Sequence, residues 1–198
     1  HQPRCTYASD AELHAVADGF RGRGIPLAAV HLDIDYMRGF RVFTWDPGRF
    51  PDPAATLARL HRRHIRAVAI VDPGVKREVG AGYAVADEGV RQGHFVHNPD
   101  GTPFTGYVWP GESLFPDFCR AATRRWWGDL HAGLLAAGVD GVWCDMNEPA
   151  IVDRPFRTPG VKDQPIPLAA PQGEGGERTV HAEVHNLYGS LMARAAAE

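Results

Sequence analysis

Three short, largely apolar stretches, at positions 25–32, 65–71 and 139–144, constrain this chain more than any other feature, because each gives way at once to an aspartate: Asp33, Asp72 and Asp145. The stretches between them have helical spacing. Residues 11–21 repeat apolar side chains at Leu13, Val16, Ala17 and Phe20 behind a capping Asp10, and Gly22 and Gly24 end the run. Asp52 is placed to cap a second helix with Pro53 in its first turn and Leu57, Leu60 and His64 on one face. Residues 121–137, which include Trp126 and Trp127, predict a third helix stopped by Gly138, and a last helix starts near Thr179. Apolar strands alternating with helices form a parallel sheet covered on both faces. Two architectures satisfy that order, a doubly wound sheet and a (β/α)8 barrel. No glycine-rich phosphate turn follows any strand, which weakens the first. The shared aspartates favour the second, since every strand of a barrel points its C-terminal end at the active site.

Composition narrows the function. The 198 residues are 44% hydrophobic, enough for a sizeable core, and carry a net charge of -3 from 21 cations and 24 anions. Only Lys76 and Lys162 among the cations are not Arg. There is no basic excess to bind nucleic acid and no polybasic run to bind a membrane surface, and the apolar stretches are far too short to span a bilayer. Cys5, Cys119 and Cys144 lie far apart without metal or redox spacing, so free or buried thiols in a reducing compartment, the cytoplasm, are expected. The chain opens on His1 with no initiator Met and no leader pattern, so either the true start is missing or this is an excised piece. Residues 76–118 read as a loop insertion, with a small hairpin over 94–97, 98–101 and 104–109. Residues 150–178 are rich in Pro and Gly and too long for an idle loop.

The chemistry concentrates in Val142-Trp143-Cys144-Asp145-Met146-Asn147-Glu148-Pro149. Side chains alternate along a strand, so Trp143 and Asp145 point the same way if the strand persists to its end. An indole face packs on the C–H surface of a sugar ring, and a carboxylate beside it attacks or stabilises an oxocarbenium ion. Other clusters are weaker. Asp33 and Asp35 match a D-x-D metal motif without a nucleotide signature. His181 and His185 are four apart, but Glu183 is at the wrong offset for a zinc protease. His61 and His64 flank Arg62-Arg63 on what reads as a solvated helix face.

Trp143-Cys144-Asp145-Met146-Asn147-Glu148-Pro149 resembles the W-x-D-M-N-E-P signature of glycoside hydrolase family 31, the α-glucosidase family. Asp33-Ile34-Asp35-Tyr36-Met37 resembles its D-x-D-Y-M segment, and Phe43-Thr44-Trp45 with Arg49-Phe50-Pro51 the stretch after it. Ile70-Val71-Asp72-Pro73-Gly74 resembles the family's next strand end. Val108-Trp109-Pro110-Gly111, Phe115-Pro116-Asp117-Phe118, Trp126-Trp127 and His185-Asn186-Leu187-Tyr188-Gly189 follow in the family's order.

That resemblance implies a (β/α)8 barrel and retaining hydrolysis of terminal α-linked glucose, with an α-glucoside or oligosaccharide as partner and no cofactor or metal. It implies Asp145 as nucleophile and Asp33 as the carboxylate gripping hydroxyls of the non-reducing sugar. Ile70, Asp72, Trp109, Trp143 and Met146 would line that subsite, with Asp35 and Glu148 in support. His31 and Cys5 depart from the family pattern, which places aromatic residues there in some relatives. The family's acid/base aspartate is expected past Glu198, so residues 1–198 are expected to form a single partial catalytic domain. It would run from the end of strand 1 to the helix after strand 4, about half a barrel, with the 76–118 insertion after strand 3. Alternatives are a non-catalytic carbohydrate-binding remnant and a relative acting as α-xylosidase, transglucosidase or lyase.

Overall fold

The computed structural model describes residues 1–3 and 7–198, so the expectations for Cys5 lie outside the described residues. In chain order its elements are β1 (Gln2–Pro3), α1 (Asp10–Gly22), β2 (Ala29–Leu32), α2 (Pro53–His61), β3 (Arg66–Val71), β4 (Val75–Lys76), α3 (Ala84–Arg91), β5 (Thr105–Val108), β6 (Gly111–Leu114), α4 (Ala121–Leu130), α5 (Ala132–Ala136), β7 (Gly141–Cys144), β8 (Pro171–Gln172), β9 (Thr179–Val180), α6 (His181–Val184) and α7 (Tyr188–Ala197). They fall into two compact units: His1–Val71 with His131–Trp143, and Asp72–Leu130 with Cys144–Glu198.

The first unit is built on a sheet of order β1-β2-β3-β7. β1 pairs parallel with β2, and β2 parallel with β3, with His31 opposite Val68 and Leu32 opposite Ala69. The Asp140 amide donates to the Ala67 carbonyl at 2.8 Å, and a Cβ on Gly141 would lie 3.6 Å from Val68 Cγ2. β7 and β3 therefore start at the same end and run the same way. One face of this sheet is sealed: Val30, Ala67, Ala69 and Val71 are 0% exposed and Leu32 1%. Leu13 and Ala17 of α1 and Leu57 and Leu60 of α2 complete that core, and α2 packs on β3. Each such leucine contributes about 1.5–3 kcal/mol by leaving water.

Local chemistry sets the boundaries. Ser9, not Asp10, caps α1: its Oγ accepts from the Glu12 amide at 3.2 Å while the Glu12 carboxylate accepts from the Ala8 amide at 2.8 Å. Asp10 then falls in the first turn, where the helix dipole favours its charge. Asp52 caps α2 as expected, accepting from the Ala55 amide at 2.9 Å. That helix stops at His61, so His64 is not on its face. His64 takes φ 59, the left-handed conformation usual for glycine after a helix, and the Ile65 amide closes back onto the Leu60 carbonyl. β2 starts at Ala29, not residue 25, because Pro26 has no N–H for the ladder. The helix expected over 121–137 is divided at His131, and Gly138 at φ 101 ends its second piece.

The second unit holds an antiparallel sheet of order β4-β6-β5, a short β8–β9 pair, and α4 packed on α7. At Gly128 of α4 a Cβ would lie 2.8 Å from the Ala195 carbonyl oxygen, so glycine permits the close helix approach. Near the expected hairpin, the Asn98 amide bonds the Thr102 carbonyl and His97 bridges Pro103, but the main pairing is β5 with β6, joined by Trp109 and Pro110. The long segment after Pro149 is tied down as well: Val152 bridges both Tyr107 and Asp163.

Candidate active site

The pleat of the first sheet puts two of the expected residues, Ile70 and Trp143, on one face. Partners in a parallel ladder point to the same face, so His31 shares a face with Val68, and two residues on with Ile70. Gly141 abuts Val68 on that face, which puts Trp143 there too. Direct contact agrees: the His31 and Trp143 rings meet edge-on, centroids 6.4 Å apart. Two residues beyond His31, Ile70 and Trp143, the strands lead into Asp33, Asp72 and Asp145. This face is opposite the one sealed by α1 and α2, and His31, Val68, Gly141 and Trp143 on it are all only partly buried.

Asp33 caps a single 3-10 turn, Ile34–Tyr36, with its Oδ1 accepting from the Ile34 amide at 2.7 Å. Asp35, in that turn, meets Arg49, whose Nη1 lies 2.8 Å from its Oδ1 and 2.9 Å from its carbonyl. The buried Tyr36 hydroxyl donates to the Ile70 carbonyl at 2.8 Å, locking the turn to the end of β3. Burial holds the His31 imidazole below its ordinary pKa, so it is neutral near pH 7.

In the second unit, Asp145 is partly buried and Met146, directly after it, takes φ 56. A left-handed non-glycine residue costs about 1–3 kcal/mol and persists where its surroundings fix it. Here the Ala150 amide returns to the Met146 carbonyl at 3.2 Å. Gly189 of α7 makes room for Asn147: a Cβ there would lie 3.0 Å from the Asn147 carbonyl oxygen. The Glu148–Pro149 peptide is cis, and Glu148 is exposed. Burial, then the charge of Asp72, pushes the Cys144 thiol up, so it stays protonated. Asp72 itself is only 4% exposed.

Trp109 closes the β5–β6 turn and is 46% exposed. Phe156 lies behind it, ring centroids 4.6 Å apart. The loop after Asp145 is fastened to the same hairpin: Tyr107 and Val152 exchange backbone bonds of 2.9 and 3.1 Å, and Gln164 Nε2 donates to the Thr105 carbonyl at 2.9 Å. Sequence reasoning passed over Arg49 and Tyr36 as functional residues, and over Phe156 and Gly106 altogether. Gly106, a glycine inside a strand, was a legible sign of a close approach.

Among the described residues no group of three or more His, Cys, Asp or Glu is placed to hold a metal ion, and no helix is long and apolar enough to cross a membrane. His181 and His185 face one another, Nε2 to Nδ1 at 3.0 Å, and His61 bonds Asp140 at 2.8 Å. A depression at the strands' other end is lined by Arg21, Arg62, Arg63 and His64. Arg63 Nη2 donates to the Ala17 carbonyl of α1 at 2.9 Å, and its Nη1 pairs with Asp18.

Comparison with known proteins places this geometry. The family model of the glycosyl hydrolases family 31 TIM-barrel domain matches residues 1–198. The chain is 40% identical to alpha-glucosidase 2 of Bacillus thermoamyloliquefaciens over 98% of its length and 24% of that protein. It is 37% identical to human neutral alpha-glucosidase AB over 100% of its length and 20% of that protein. The DNJ-bound glucosidase II alpha subunit superposes with a TM-score of 0.85 at 31% identity, over 99% of this chain and 20% of that one. The chain thus spans a quarter or less of these relatives. A strand-end aspartate pattern, an α/β framework and a family match over all 198 residues agree: the chain belongs to glycoside hydrolase family 31.

Proposed function

We propose that the protein bearing this chain is a retaining α-glucosidase that releases glucose from terminal α-glucosidic linkages, and that the β1-β2-β3-β7 sheet is part of its (β/α)8 barrel. One observation carries the reading: neighbouring parallel strands put His31, Ile70 and Trp143 on a common face, and each of these residues is followed two positions later in the sequence by an aspartate, Asp33, Asp72 or Asp145. The names of the relatives support the substrate class.

Asp145 is the nucleophile. Its carboxylate attacks the anomeric carbon, the bond to the leaving oxygen breaks as a second carboxyl protonates that oxygen, and a β-glucosyl ester forms. Water, deprotonated by that second group, then attacks the same carbon and frees Asp145, so two inversions give net retention. Asp33 accepts hydrogen bonds from sugar hydroxyls, which strengthen as charge develops. Ile70, Asp72, Trp109, Trp143 and Met146 wall the subsite, Asp35 supports Asp33, and Glu148 orients the loop.

Trapping tests this. A 5-fluoro-glucosyl fluoride slows hydrolysis of the ester enough for it to accumulate. Peptide mapping of the full-length protein should place the added mass on Asp145. Label on Asp33, Asp72 or Glu148, or an inverted product anomer, would refute the assignment.

A further inference from the structure

We infer that Arg49 is a positioning residue for the substrate, holding the Asp33 turn in its sugar-gripping orientation through Asp35; the inference rests on the reading of Asp33 above. The turn over Ile34–Tyr36 is a single 3-10 turn, too short to fix its own direction. Its orientation comes from outside contacts. Arg49 Nη1 reaches the Asp35 carbonyl at 2.9 Å and the Asp35 carboxylate at 2.8 Å, so one guanidinium nitrogen fixes both backbone and side chain. The Asp46 amide donates to the Tyr36 carbonyl at 2.8 Å. The Tyr36 ring sits against Trp45 at 4.8 Å, and Trp45 against Phe50 at 5.7 Å. Arg49 is itself anchored: its amide donates to the Asp46 carbonyl at 3.2 Å, and its carbonyl accepts from the Asp10 amide at the start of α1 at 3.0 Å.

Exposure separates positioning from stabilisation. Arg49 and Asp35 side chains are 41% and 22% exposed, and ion pairs so open to water add little to stability. The chain therefore gains little folding free energy from a contact that nonetheless constrains the residue two positions after Asp33. A carboxylate displaced by about 1 Å loses its hydrogen bonds to the sugar, which can cost about 100-fold in rate.

The experiment is a double-mutant cycle on the full-length protein with an aryl α-glucoside, using Asp33→Asn, Arg49→Met and the double variant. Arg49→Met should lower kcat/KM about 30-fold, with the melting temperature within about 3 °C of wild type. The loss caused by Asp33→Asn should be at least about fivefold smaller in the Arg49→Met background, because a misdirected carboxylate has less to lose. Arg49→Lys, which keeps a donor, should recover to within about fivefold of wild type. If Arg49→Met does not fold, Arg49→Lys and Arg49→Gln complete the same cycle. Additive losses, or a wild-type kcat/KM in Arg49→Met, would overturn the positioning role while leaving the α-glucosidase reading intact. Wild-type protein without α-glucosidase turnover would overturn that reading and this inference with it.

Discussion

Gly106 offers a perturbation whose size can be worked from geometry. It lies inside β5, and a Cβ built on it would fall 2.2 Å from Ile151 Cγ2 and 3.7 Å from Phe115 Cε2. Carbon atoms in contact sit about 3.5–4.0 Å apart, so Gly106→Ala forces a separation of well over 1 Å. Ile151 cannot swing away, because it is 3% exposed and Phe115 beside it is 0% exposed. Overpacking of this kind costs about 1–3 kcal/mol, partly offset by about 0.4–1 kcal/mol from the stiffer unfolded chain. A net loss of about 1–2 kcal/mol lowers the melting temperature of a domain this size by about 3–6 °C. The displaced Ile151 is six residues after Asp145, and its neighbour Val152 is pinned to Tyr107, so the shift is driven back along the loop. We expect kcat to fall about 10- to 100-fold, since misplacement of about 1 Å costs rates of that order. The assay is thermal unfolding plus steady-state kinetics on an aryl α-glucoside. A second change, Ile151→Leu, removes the offending branch at Cβ without altering volume and should restore most of both. Wild-type stability and kcat in Gly106→Ala alone, or no rescue by Ile151→Leu, would refute the reasoning.

Asp33→Ala should depress kcat/KM at least about 100-fold with the fold intact, as expected for a lost charged contact to the sugar; a mild loss would leave Asp33 only the turn-capping role. Phe156→Ala should raise KM for oligosaccharides about threefold to tenfold by freeing the Trp109 ring, with kcat little changed, measured on a series of α-glucosides of rising length. His181 is 0% exposed, and burial, reinforced by His185, lowers its pKa to about 4. Stability from its neutral form is complete above the unfolded value near 6.5 and is lost as pH falls from there towards the folded value, about 2 kcal/mol by pH 5. His181→Gln should flatten that part of the pH profile in denaturant unfolding, and an unchanged slope would show that His181 is not its source.

The sequence by itself determined the α/β class of the fold and the family, and it pointed to the residues proposed to carry the chemistry. Apolar runs ending in Asp33, Asp72 and Asp145 read as strands because they are too short for helices, Val- and Ile-containing, and alternate with helical patterns. Helix caps were legible where a side chain bonds its own turn, as at Asp52, and missed by one residue where Ser9 and Asp10 competed. The boundary at His64 was not legible, because no local signal marks a histidine that must turn left-handed to let β3 begin. Tertiary structure alone decided the rest. Register set which face His31, Ile70 and Trp143 share, and register depends on strands far apart in sequence. The Arg49–Asp35 contact, the Tyr36 bond to Ile70, Phe156 behind Trp109 and Ile151 over Gly106 join residues 14 to 47 positions apart. Such contacts arise only after the chain has folded back on itself, when elements with no mutual local preference are brought within van der Waals reach.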